Sequence, residues 1–127
     1  MNAEELKKRT KAFALRVLDV VDALPRTVRG RTLGGQLADS GTSVAANYRA
    51  ACRARSKAEF ISKLGIVIEE ADETGFWLEM ILDSKLLTAQ QLAPLIDEAD
   101  QFVAIMTSSR KTAQASLNRQ SAIGNRQ

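Results

Sequence analysis

Two clusters of ionisable residues could do chemistry. "RAACRARSK", residues 49–57, places Arg49, Arg53, Arg55 and Lys57 within nine positions. Cations at this density suit phosphate oxygens, which need only accessible positive charge. Arg29 and Arg31, with Arg26 beside them, form a second basic group upstream. "EEADE", residues 69–73, packs Glu69, Glu70, Asp72 and Glu73 into five positions. Paired carboxylates can hold a divalent cation or act as general acid and base. On a helix these four point to at least two faces, so a solvated or salt-bridged face is the favoured reading. Ser40, Ser43 and Cys52 have no candidate base near them in sequence. The chain contains no histidine, which removes imidazole catalysis, His metal ligands and the Glu-x-x-His motif of di-iron bundles. The single cysteine forms no internal disulfide and reads as a small packed side chain. These residues predict a protein without enzymatic activity, metal or cofactor.

The elements that must position these clusters are helices. Aromatics are 5% of the 127 residues and apolar residues 45%. This balance favours helices packed through small and aliphatic side chains, around one core. Asn2 with Glu5 is a capping pair that opens a stripe of Leu6, Thr10, Phe13, Val17, Val20 and Leu24, and Pro25 stops it. Leu33, Leu37, Ser40, Val44, Asn47 and Ala51 continue the four-three spacing. Gly34, Gly35 and Gly41 each weaken that helix by about 1 kcal/mol, yet the stripe keeps its phase and one long helix results. Ser56 with Glu59 opens a third stripe of Ile61, Leu64, Ile68, Ala71, Gly75, Leu78 and Leu82. Thr88 with Gln91 opens a fourth, with Leu92, Ile96, Ala99, Val103 and Met106, in which Pro94 is expected to bend or fray the first turns. The predicted helices cover residues 3–24, 28–54, 57–84 and 89–110. Residues 111–127 form a basic polar extension, helical at first and frayed over the last ten. Short connections make the fold all-α, an antiparallel up-down-up-down four-helix bundle occupying residues 1–110.

Antiparallel neighbours would then set Ala51 opposite Phe60, Asn47 opposite Leu64, Ser40 opposite Ala71 and Leu37 opposite Gly75. Small residues at such positions let two helix axes approach closely. Asn47, an amide in that seam, is expected to make a register-fixing hydrogen bond. Phe60, Val67, Trp77 and Ile81 widen the apolar face of the third helix beyond what a lone bundle needs, and form the candidate homo-oligomer interface.

Charge is segregated along the chain. Residues 1–25 carry a net +1, residues 26–57 a net +6, residues 58–100 a net −8 and residues 101–127 a net +4. Two readings stand. Either the basic segment faces a nucleic acid, or a basic helix packs beside an acidic one within or between subunits. The bases fall into two groups, because Arg29 and Arg31 lie about 30 Å from Arg53 by helix rise. No apolar run reaches membrane-spanning length and the N-terminus is charged, so the expected setting is cytoplasmic, with no membrane partner.

The stretch "GGQLADSGTSVAANYRAACRARSKAEFISKLGIVIEEADETGFWLEMI" closely resembles bacterial four-helix bundle proteins encoded inside intervening sequences of the large-subunit ribosomal RNA gene. The resemblance spans residues 6–106. It is most specific at Gln36, Leu37, Ser40, Ser43, Val44, Ala45, Ala46, Asn47, Arg53 and residues 60–73. A related branch is the accessory variability determinant of diversity-generating retroelements, a basic, barrel-shaped homopentamer that associates with a reverse transcriptase and nucleic acid. The present chain departs from that branch in its modest net charge of +3 and its acidic third helix. The resemblance implies a four-helix bundle, a ring-shaped homo-oligomer of five copies, RNA or DNA contact, and a partner of the reverse transcriptase kind. The expectation is a non-enzymatic homo-oligomer that contacts an RNA or DNA backbone through Arg29, Arg31, Arg49, Arg53, Arg55 and Lys57. The alternative is a protein scaffold or adaptor whose charge segregation serves only subunit assembly.

Overall fold

The computed structural model describes residues 1–125. It contains four helices: α1 (Ala3–Ala23), α2 (Val28–Cys52), α3 (Lys57–Asp83) and α4 (Ala89–Asn125). Consecutive helices pack side by side, α4 returns against α1, and the backbones of the diagonal pairs stay apart. The result is the expected antiparallel four-helix bundle. No described helix is long and apolar enough to cross a membrane.

Each start is written locally. The Asn2 side chain accepts a hydrogen bond from the Glu5 amide (2.9 Å), and Thr27 accepts one from Gly30 (3.0 Å). Ser56 accepts one from Glu59 (3.0 Å). Thr88 and Gln91 make the reciprocal pair, with Gln91 Oε1 accepting from the Thr88 amide (2.9 Å) and Thr88 Oγ1 from the Gln91 amide (3.2 Å). These bonds satisfy N–H groups that have no partner inside the helix. The α3–α4 connection turns through Lys85 at φ 59, a left-handed conformation uncommon for a residue with a Cβ.

One expectation about α4 is corrected. The helix includes Pro94, continues past residue 110 as expected, and reaches Asn125 where fraying was expected from residue 118; residues 126 and 127 of that extension lie outside the described residues. Between Pro94 and Gly124 the segment has no Gly or Pro, and it carries five Ala and three Gln, which favour or tolerate a helix. Its continuation is also tied down, since Lys57 Nζ donates to Ser116 Oγ.

The core holds Phe13, Val17, Leu37, Val44, Leu64, Val67, Leu78, Ile81, Leu92, Phe102 and Met106. Phe13 and Phe102 meet edge to face across the α1–α4 seam, with ring centres 5.3 Å apart. Arg9 covers the same seam. It donates two hydrogen bonds to the Glu98 carboxylate, from Nε (2.9 Å) and Nη2, and its guanidinium lies 5.1 Å from the centre of the Phe102 ring.

Two glycines of α2 face α1 and its C-terminal end. A Cβ on Gly41 would lie 2.7 Å from Val17 on α1, and one on Gly34 would lie 3.1 Å from Leu24. These two glycines therefore make room for Val17 of α1 and for Leu24 just beyond its end. Gly75 of α3 faces Ala99 of α4 and not Leu37. Asn47 is half-buried, and its Nδ2 donates to the Ser43 carbonyl one turn back (2.9 Å). That bond lies within α2, so it does not set the register between helices.

Candidate nucleic-acid interface

The last turns of α2 and the first turns of α3 build one concave basic surface. Arg49 and Arg53 are one turn apart on the same face, and Arg55 follows in the short connection. Across from them, Lys63 rises from α3. Together with Ala46, Ala50 and Glu59 these four cations line a groove of about 480 Å³. The alanines explain the small residues of the quoted stretch on this side, because larger side chains would fill the groove. A second groove, about 430 Å³, lies between α1 and α2 and is lined by Lys7, Lys11, Thr42, Ala45, Ala46 and Arg49. Ala46 and Arg49 belong to both. The grooves are therefore neighbours, and their linings together draw on three helices.

Two carboxylates accompany this band. Glu59 lines the first groove, where its Oε2 accepts from the Arg55 amide (3.3 Å). Glu4 pairs with Lys7 at 2.5 Å, and the lysine holds the Glu4 carboxyl below its ordinary value by hydrogen bond and by charge. Among the described residues the ion pairs are Lys7–Glu4 and Arg9–Glu98. Among the described residues Arg49, Arg53, Arg55 and Lys63 thus make no ion pair with a carboxylate, although Glu59 lines the same groove.

The six expected phosphate ligands do not form one site. Arg49, Arg53 and Arg55 come together. Lys57 turns to the other side of α3, where it meets Ser116 and lines a cleft with Phe60, Ser109 and Thr112. Arg31 lies at the opposite end of α2, in a groove of about 290 Å³ beside Asp22, Pro25 and Arg26, and its Nη1 donates to the Arg26 carbonyl (2.8 Å). Arg29 is exposed at that same end, in the first turn of α2. Lys7, Lys11 and Lys63 were not anticipated. The one-turn spacing of Lys7 and Lys11 was a signal, but nothing linear connects them to residue 49.

The candidate interface residues divide as well. Val67 and Ile81 are 0% exposed inside the bundle, so neither can meet a second copy. The helix contacts α2 on one side and α4 on the other, and its wide apolar arc is used by those two neighbours. Phe60 and Trp77 are partly buried and pack on the core. The exposed apolar surface of α3 is instead Phe76, 50% exposed, and Met80 one turn on. Phe76 meets Trp77 edge to face at 4.9 Å.

The acidic cluster finds no basic partner on α2. Glu69, Asp72 and Glu73 are exposed and Glu70 is half-buried. Burial raises the Glu70 carboxyl above its ordinary value, and the charges of Glu73, Glu69 and Asp39 raise it further. Asp39 belongs to α2, so the facing helix brings an acid here. The expected salt bridges between basic α2 and acidic α3 are absent among the described residues. No described group of three or more His, Cys, Asp or Glu side chains is placed to hold a metal ion. The sign of the pH effect follows. A carboxyl whose pKa is raised on folding favours the folded state when protonated, and that contribution is lost as pH rises through the folded value. Glu70→Gln is therefore expected to raise the thermal midpoint at pH 7 and to lose that advantage below the ordinary value of 4.5, as read by unfolding curves at both pH values.

Residues 4–108 match the family model described as 23S rRNA-intervening sequence protein. No curated protein matches the chain. A crystal structure of a protein of unknown function from the S23 ribosomal protein family of Bacteroides thetaiotaomicron is 31% identical. It superposes with a TM-score of 0.78 over 83% of this chain and 97% of that one. With the family model covering nearly the whole bundle, the chain belongs to the 23S rRNA-intervening sequence protein family.

Proposed function

We propose that this protein is a non-enzymatic, self-associating bundle that binds nucleic-acid backbone through the groove between the end of α2 and the start of α3. The observation that carries this reading is the convergence of Arg49, Arg53, Arg55 and Lys63 on one groove, without carboxylate partners among the described residues. Four cations on a concave surface attract phosphates by charge and by release of condensed counterions. Ser40 is buried and its hydroxyl is directed at the Leu37 carbonyl, and Cys52 sits beside buried Tyr48, so neither has the base that nucleophilic catalysis requires. Fluorescence anisotropy of a structured RNA against the protein over a salt series tests it. Binding whose logarithm falls linearly with log salt supports the reading, and absence of binding at low salt removes it.

Self-association has its own support. Phe76 and Met80 form an apolar strip on α3, beside the carboxylates of Glu73 and Glu79. An assembly of five copies, as the accessory relatives form, would multiply the basic groove fivefold. Phe76→Ser together with Met80→Ser is expected to shift the mass in multi-angle light scattering to the monomer while helicity is unchanged. A monomer in the unaltered protein at micromolar concentration would leave the groove reading standing and remove this one. The adaptor alternative gains from the same strip, which would then face another protein.

A further inference from the structure

We infer that the basic site extends onto α1, through Lys7 and Lys11, and that its ligand is a double-stranded nucleic acid gripped by its phosphates. This rests on the nucleic-acid reading above and specifies the ligand class. The two grooves share Ala46 and Arg49, so a rod-like polyanion lying across them meets Lys7 and Lys11 on α1, Arg49 and Arg53 on α2, Arg55 in the connection and Lys63 on α3. Both floors are small: Ala45, Ala46, Ala50 and Thr42.

What lines the band also says what it does not read. Single strands without a partner strand are held by aromatic platforms on which unpaired bases stack. Neither groove is lined by an aromatic side chain. Tyr48 is buried, and it lines a separate cleft with Phe60 and Ala113. Phe76, the exposed aromatic of α3, is about 20 Å from Lys63 by helix rise. No Asn or Gln lines either groove, so base edges have no amide reader there. A duplex stacks its own bases and carries its phosphates outermost, so it can be gripped by charge alone, which is the chemistry this surface offers.

The test is fluorescence anisotropy of a labelled RNA duplex of about 16 base pairs, its DNA counterpart and each separated strand, at matched salt. The full-length protein is compared with Lys7→Ala/Lys11→Ala. Either duplex is expected to bind at least ~10-fold more tightly than its strands, and the double substitution to lower the duplex salt slope by about 0.9 to 1.8, the lower figure corresponding to Lys7 staying with Glu4. Lys11 is exposed, and the surface pair of half-buried Lys7 with Glu4 contributes little, so the thermal midpoint of the variant should stay close to that of the parent. Strands that bind as tightly as the duplex would overturn this inference and leave the nucleic-acid reading in place. An unchanged slope in the variant would remove α1 from the site. Failure of every probe would overturn both readings.

Discussion

Phe102→Ala lowers the free energy of unfolding by about 3–5 kcal/mol, the range for deleting a fully buried aromatic ring. Phe102 is 0% exposed and completes the edge-to-face pair with Phe13. The substitution removes that pair and leaves a cavity in the seam between the first and last helices. It also takes away the ring beneath the Arg9 guanidinium. The Arg9–Glu98 pair is left to close the seam alone, without the ring it covered. Since whole domains are stable by only about 5–15 kcal/mol, the variant should sit near its unfolding threshold at 37 °C. Urea denaturation followed by circular dichroism checks this. A lower midpoint with unchanged slope is expected, and a loss under 1 kcal/mol would show that the seam collapses around the gap. Leu15→Ala, on the exposed side of α1, is the control and should stay within about 0.5 kcal/mol of the parent.

Arg49→Glu/Arg53→Glu weakens binding of structured RNA about 100-fold, or about 2.8 kcal/mol at 1.4 kcal/mol per decade. The double change removes two cations and, beside Glu59, turns the groove from net basic to net acidic. Both positions are exposed and neither pairs with a described carboxylate, so folding should be spared. Arg29→Glu/Arg31→Glu makes the same charge change at the opposite end of α2 and is expected to alter affinity less than threefold. Anisotropy titrations of both variants at one low salt concentration separate site from bulk charge. Equal losses would mean that net charge, not the groove, attracts the nucleic acid.

The helices were legible because their signals are local. Asn2, Ser56 and Thr88 cap what they were expected to cap, and Pro25 ends α1. A stripe at helical spacing can bury itself in only one general way, so four stripes with short connections imply the bundle. The end of α4 was less legible, because a polar, Ala-rich tail looks much the same whether frayed or held, and the bond from Lys57 to Ser116 comes from 59 residues away.

The site was legible only in part. Arg49, Arg53 and Arg55 share a groove because they share a helix end, which spacing alone can show. Lys57 is two residues beyond Arg55 and yet faces away, because the chain has already turned into α3. Val67 and Ile81 looked like spare apolar surface, since a sequence shows the width of a stripe but not how many neighbours divide it. Phe76 and Met80 were passed over for the same reason.

By itself, then, the sequence determined the four helices, their caps, their antiparallel order and the segregation of charge, all of which depend on residues within a few turns of one another. Only the tertiary structure decided which cations converge, that Lys7, Lys11 and Lys63 join Arg49, and that the acids of α3 meet Asp39 instead of a base. These outcomes depend on the rotation of each helix about its axis, which is set by how close-packed side chains such as Val17 against Gly41 interlock across the interior.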